Sequence, residues 1–205
     1  SSAGIHDLEA SCLLFDIFLE LKDVVRAEKW LQVINQKDFE NLREKFVRDL
    51  RLLILKERKD DIAKSLKDYQ HDANYTVEES FIIAKAFSFI GEKDQAHELL
   101  RYIQNFPANS QDEDFIHGLA GLILGSKQET IETFEALYIN GYQNIKLWLV
   151  LSDLYFSNKN YGKCREVLEI IIKHHPGNGE YRIKKARAAL RLGDIAATTD
   201  ELEAF

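Results

Sequence analysis

The stretch Leu151–Asn178, LSDLYFSNKNYGKCREVLEIIIKHHPGN, decides the fold. It runs from an aromatic, helix-like segment through a polar break at SNKNYG into a second apolar run that stops at Pro176. Proline has no backbone N–H and clashes with the preceding turn, so it cannot continue a helix. The stretch therefore reads as most of one helix–turn–helix hairpin.

The hairpin recurs. Gly125 follows Gly91 by 34 residues and Gly193 follows Gly125 by 68, with Lys159 of the polar break at the midpoint. In this phase Ala84, Gly118, Ser152 and Ala186 form a column of small residues, and Ala96, Thr130, Cys164 and Thr198 form another. Leu100, Phe134, Leu168 and Leu202 form a column of large apolar ones. The size classes have a mechanical reason. Two antiparallel helices approach closely only where side chains are small, and a large residue one turn further on fills the gap. The glycines are expected to end each first helix in the left-handed conformation. Second helices should stop near Pro107 and Pro176.

A 34-residue helix–turn–helix unit with these columns resembles the tetratricopeptide repeat family. The resemblance is strongest over 145–178, through Trp148, Leu151, Ser152, Tyr155, Cys164, Leu168, Ile171 and Pro176. Unit 77–110 carries it through Ile83, Ala84, Phe87, Gly91, Ala96, Leu100 and Ile103. Unit 111–144 keeps Gly118, Gly125, Thr130, Phe134 and Leu137 but has His117 at an apolar column. Unit 179–205 keeps Ala186, Gly193, Asp194 and Leu202 but has Lys185 at that same column. The implied fold class is all-α, an α-solenoid of antiparallel hairpins in a right-handed superhelix, with four repeats in 77–205.

Residues 1–76 are expected to form an N-terminal helical cap, with helices near 7–21, 24–36, 38–57 and 60–70. Phe39, Leu42, Phe46, Leu50, Leu53 and Ile54 have amphipathic spacing. The last two helices of this region could make a degenerate fifth hairpin, with Leu50 in a small-residue column. An ending inside a second helix at Phe205 is expected of a piece of a longer protein, or else of a terminus capped by a partner, and the opening SSAG reads as a cloning remnant. The absence of Met has no physical account.

Composition bounds the function. Apolar residues make up 45% and charged residues 30%, as in ordinary globular proteins. A net charge of −7 disfavours a general nucleic-acid or anionic-membrane binder. The longest apolar run, FIHGLAGLILG at 115–125, falls short of the roughly 20 residues that span a bilayer. Gly118, Gly121 and Gly125 within it read as close helix packing rather than membrane dimerisation. Cys12 and Cys164 are expected to be reduced and packed, which suits a cytoplasmic location, whether as a free protein or the soluble part of a membrane-associated assembly.

Catalytic motifs are missing. The chain has no GxGxxG, no GxxxxGK[ST] and no Cys or His pair at zinc spacing. His174 and His175 are adjacent and point about 100° apart on a helix, so they cannot chelate as an i,i+4 pair would. QDED at 111–114 reads as acidic residues at a helix N-terminus. The expectation is a protein that is not an enzyme and takes no cofactor or metal.

The resemblance implies a concave groove lined by first helices. Its columns place Phe81, Ile82, Lys85 and Phe89 there, then Phe115, Ile116, Leu119, Leu122 and Ile123. Leu149, Val150, Asp153 and Phe156 follow, then Ile183, Lys184, Arg187 and Arg191. Such a groove is apolar over three repeats and basic at the last. It suits an apolar or amphipathic peptide with an acidic end, or, on the competing reading, some of these residues are core or covered. Phe81 and Lys85 stand where chaperone-tail-clamping repeats want Lys and Asn, so that subclass does not fit. The expected role is a scaffold or adaptor for a protein partner. The alternatives are a secretion-system-type chaperone that sequesters a client, a self-assembling scaffold, and the regulatory repeats of a longer catalytic protein.

Overall fold

A computed structural model describes residues 2–37, 42–67, 69 and 75–204, leaving aside the side chains of 2–7 and 37. All regular structure among the described residues is helical. The chain divides into two compact units, Ser1–Pro107 and Ala108–Phe205.

In the first unit α1 (Ser2–Glu20) pairs with α2 (Val24–Lys37), α3 (Leu42–Leu55) with α4 (Lys59–Leu66), and α5 (Val77–Ile90) with α6 (Lys93–Gln104). Helices α1, α3 and α5 also pack on one another in that order. In the second unit the pairs are α7 (Gln111–Leu124) with α8 (Lys127–Ile139), α9 (Ile145–Ser157) with α10 (Tyr161–His174), and α11 (Gly179–Arg191) with α12 (Ile195–Glu203). Successive hairpins of this unit join through α8 on α9 and α10 on α11.

The turns keep the 34-residue spacing with high fidelity. Positive φ occurs at Glu57 (56°), Gly91 (97°), Gly125 (94°), Lys159 (60°) and Gly193 (77°), each 34 residues after the last. The series reaches Glu57, so the α3–α4 turn holds the register although its side chains depart from the pattern. The left-handed region costs about 1–2 kcal/mol for a residue with a Cβ. Lys159→Gly is therefore expected to raise stability by about 0.5–1 kcal/mol, once the greater freedom of glycine in the unfolded chain is set against it. Gly91→Ala should lower it by about 1 kcal/mol, for conformational reasons alone, since nothing lies within 4 Å of an added Cβ. Urea melts of the two variants measure both, and equal midpoints would contradict the argument.

A second periodic signal lies at the helix starts. Thr76, Ser110, Asn144 and Asn178 are the N-caps of α5, α7, α9 and α11. They too are 34 residues apart. Each side-chain oxygen accepts from a backbone N–H of the first turn, at 3.2, 3.2, 2.8 and 3.0 Å. Thr76 completes a capping box, because its own N–H donates to Glu79 at 2.8 Å. Asp112, Glu113 and Asp114 occupy the first turn of α7, where the dipole favours them.

The small-residue columns are where the hairpins close. Ala84, Gly118, Ser152 and Ala186 are all buried, as are Ala96, Thr130 and Cys164. At the α7–α8 crossing the Thr130 hydroxyl donates to the carbonyl of Gly118 at 3.2 Å and is also 2.9 Å from that of Ser126. Leu100, Phe134 and Leu168 are fully buried one turn further on. Leu202 breaks the column and is 53% exposed. Helix α12 contributes no buried residue.

Two N-terminal expectations change. Helix α1 begins at Ser2 rather than near residue 7, and α4 ends at Leu66 rather than near 70. Tyr69 leaves the helix to join Phe46, Tyr75 and Phe87 in an aromatic cluster with ring centroids 5.6–6.5 Å apart. Phe39 lies outside the described residues. Leu50 and Ile62, both fully buried, stand in the two small-residue columns, so α3 and α4 meet through larger side chains than the later pairs do.

The core of the second unit is built around Phe134, Leu147, Leu151, Leu168 and Ile171. Tyr155 ties α9 to α8 by donating to Glu135 at 2.7 Å. Phe15, Ala27, Leu31, Ile34 and Leu52 form a core cluster in the first unit. Cys12 and Cys164 are both thiols rather than halves of a disulfide.

Candidate interaction surface

Helices α9 and α11 are first helices of neighbouring hairpins, and equivalent columns on them face a shared cavity of about 150 Å³. Its floor is Leu168 and Cys164 of α10, with Ser152 and Phe156 of α9 beside them. Leu168 and Cys164 are almost fully buried, and Phe156 is half-buried. Burial pushes the Cys164 thiol up to about 11, so at neutral pH it is a packing group rather than a nucleophile. The rim is charged: Asp153 comes from α9, and Lys184 and Arg187 from α11. Lys184 donates to Asp153 at 3.0 Å across the mouth. Both side chains are well exposed, so this pair adds little stability and can open for a competing carboxylate. Arg187 and Arg191, also exposed, have no ion pair among the described residues. The arrangement is an apolar pocket with a cationic edge.

The groove residues expected on the second unit separate into two classes. Asp153, Phe156, Lys184 and Arg187 come together at this pocket, and Arg191 extends its basic edge one turn along α11. Phe115 belongs to the core instead, 7% exposed and packed on Phe134 and Tyr142 with centroids 5.4 and 6.1 Å apart. Gly118 leaves the space that the Phe134 ring fills, and Phe115 closes over that ring. Leu119, Leu122, Leu149 and Val150 are half-buried against the same core. Ile116 is half-buried, and Ile123 is 47% exposed. The apolar character expected of a groove here is thus in large part the character of a core lining.

On the first unit, Lys85 sits 6.0 Å from the Phe81 ring centroid and Lys59 sits 5.5 Å from that of Phe89, so both rings are roofed by ammonium groups. Ile82 lines a different cavity with residues of α1 and α3. That cavity lies outside the groove expected from the sequence, whose columns were placed on 77–205 alone. The signal was present: Val47, Arg48 and Arg51 stand 34 residues before Phe81, Ile82 and Lys85.

The histidine pair is occupied structurally. His174 packs on Trp148 with centroids 5.1 Å apart, and His175 is the C-cap of α10 and lies 6.4 Å from the Tyr181 ring. Among the described residues no group of three or more His, Cys, Asp or Glu is placed to hold a metal ion. No described helix is long and apolar enough to cross a membrane.

No family model matches this chain, and neither does any curated protein. Solved structures do. A tetratricopeptide repeat protein from Parabacteroides merdae is 16% identical, with 97% of this chain and 78% of that one covered and a TM-score of 0.55. MamA AMB-1 is 14% identical, with 79% and 93% covered and a TM-score of 0.61. The C-terminal part of a TPR repeat-containing protein from Cytophaga hutchinsonii is 14% identical, with 93% and 76% covered and a TM-score of 0.56. At such identities the likeness concerns the fold alone, and the chain has the tetratricopeptide-repeat fold.

Proposed function

We propose that the chain is a non-catalytic interaction scaffold whose second unit holds an amphipathic segment of a protein partner between α9 and α11. The single observation behind this is the pocket with Leu168, Cys164 and Phe156 beneath Lys184 and Arg187. An apolar side chain of the partner fills the pocket, and an acidic residue beside it meets Arg187 and competes with Asp153 for Lys184. Burial of apolar surface supplies about 25 cal/mol per Å² before the costs of ordering. The charges supply orientation and on-rate more than affinity.

The reading is tested with a fluorescently labelled peptide of about 12 residues, leucines on one helical face and glutamates on the other. Fluorescence anisotropy against the full chain should show binding that weakens about tenfold in Arg187→Glu and at least as much in Phe156→Asp. Both positions lie outside the fully buried core, and circular dichroism verifies that each variant folds. Equal affinity for the parent and both variants would remove the pocket from the binding site.

A further inference from the structure

We infer that the first unit carries a second recognition site of opposite charge, a cavity between α1, α3 and α5 that takes a lysine or arginine side chain of a partner peptide. The cavity encloses about 260 Å³. That is below the roughly 300–1,000 Å³ of sites for whole drug-sized ligands, and it suits one long side chain. Phe15, Val47 and Ile82 form its apolar wall. Four carboxylates, Asp16, Glu44, Glu78 and Glu79, surround it against two guanidiniums, Arg48 and Arg51.

With Arg43 counted beside Arg48 and Arg51, three of the four carboxylates are paired and the surplus is one carboxylate, Glu78. Arg48 donates to Glu44 at 3.1 Å and Arg51 to Asp16 at 2.6 Å. Glu79 pairs with Arg43 at 3.2 Å and closes the Thr76 capping box. Glu78 is exposed and has no ion pair among the described residues.

An anionic ligand would enter among four carboxylates. It would have to share Arg48 and Arg51 with Glu44 and Asp16, which already accept from them, and would meet the charge of Glu78 as well. A cationic side chain meets the surplus charge directly. Its aliphatic stem lies along the apolar wall while its charged head stays at the rim, as long basic side chains do on protein surfaces. The site draws on no residue of the second unit, so it stands or falls apart from the pocket of α9 and α11.

The experiment uses the full chain and a labelled peptide of about 12 residues with leucines on one helical face and arginines on the other, at about 50 mM and about 300 mM salt. The parent should bind it. Glu78→Lys should weaken binding about tenfold or more, and Glu78→Gln by a smaller factor. Arg187→Glu and the charge control Glu92→Lys should leave it within about twofold of the parent. Amide shifts in NMR spectra should centre on Phe15, Val47 and Ile82. Three results would each overturn the site: no binding to the parent, equal weakening by Glu92→Lys and Glu78→Lys, or amide shifts that miss these three residues. Loss of the leucine–glutamate peptide in Arg187→Glu bears only on the second unit.

Discussion

Gly118→Ala is expected to destabilise the protein by about 2–3 kcal/mol, although alanine is the better helix former by about 1 kcal/mol. A Cβ at this position would lie 2.1 Å from Cε1 of Phe134 and 2.8 Å from two further ring atoms. The ring has nowhere to go, because Phe134 is fully buried and packed against Phe115. The helices must therefore separate, which also strains the Thr130 hydrogen bond to the Gly118 carbonyl. For a chain of this size the change lowers Tm by about 5–8 °C. Phe134→Leu should cost about 1–2 kcal/mol alone, and combined with Gly118→Ala it should cost less than the sum, by about 1 kcal/mol or more. Thermal melts of the four proteins in this cycle decide the matter. A Gly118→Ala protein as stable as its parent, or strictly additive effects, would show that the close approach does not limit the packing.

Lys185→Ala is expected to release α12. Lys185 stands in the column that holds the fully buried Ile83 and Leu151 in other hairpins, so its ammonium emerges beside the core. There it pairs with Glu169 of α10 and, at 2.7 Å, with Glu201 of α12. Arg182 also reaches Glu201, at 3.4 Å, and Arg165 reaches Asp194 at 3.0 Å. With no buried residue of its own, α12 is held to its neighbours by this network. Both Lys185 and Glu201 are only 15% exposed in their side chains. Removing the lysine should therefore cost about 2 kcal/mol, less than the ~3–5 kcal/mol of a fully buried pair because Arg182 remains. Hydrogen exchange of α12 amides should speed up by roughly thirtyfold, with little change in α9. Unchanged exchange in α12 would mean that the charges do not hold it.

The same network sets the pH window of α12. The hydrogen bond from Lys185 holds the Glu169 carboxyl below its ordinary 4.5. The backbone N–H of Ala197, and then Arg165, hold Asp194 below 3.8. Burial opposes the charge on Lys185, but the hydrogen bonds it donates to Glu169 and Glu201 outweigh it, so the ammonium is held above 10.5. For the two carboxyls, with depressed folded values, the stabilisation is present above 4.5 and 3.8 and is lost as pH falls through the folded values. For Lys185, with a raised folded value, it is present below 10.5 and is lost as pH rises through the folded value. Protection of α12 should accordingly be greatest at neutral pH and fall toward both extremes. In Lys185→Ala the alkaline loss should disappear and the acid loss should shrink.

Much of the fold was legible in the residues themselves. Side-chain size at Ala84, Gly118, Ser152 and Ala186, glycine at 91, 125 and 193, and proline at 107 and 176 are local facts with local consequences. Steric bulk, left-handed backbone and the missing proline N–H act within one hairpin, so a single chain read at a 34-residue period specifies helix, turn and crossing. The N-caps at Thr76, Ser110, Asn144 and Asn178 carry the same period and were equally readable.

Which apolar residues face out was decided only by tertiary structure. Phe115 and Phe156 fall on equivalent first helices, yet the ring of Phe115 is buried against Phe134 and Phe156 edges a pocket. Burial of a side chain depends on the volume its neighbours leave, and Gly118 leaves that volume to an aromatic ring from another helix. Leu202 shows the converse, holding the column of Leu168 yet lying 53% exposed. The acidic cavity of the first unit likewise exists because α1, α3 and α5 bring Asp16, Glu44 and Glu78 to one mouth. Charges far apart in sequence acquire a shared field only through that approach, since an ion interacts over ångströms of space and not over positions in a chain.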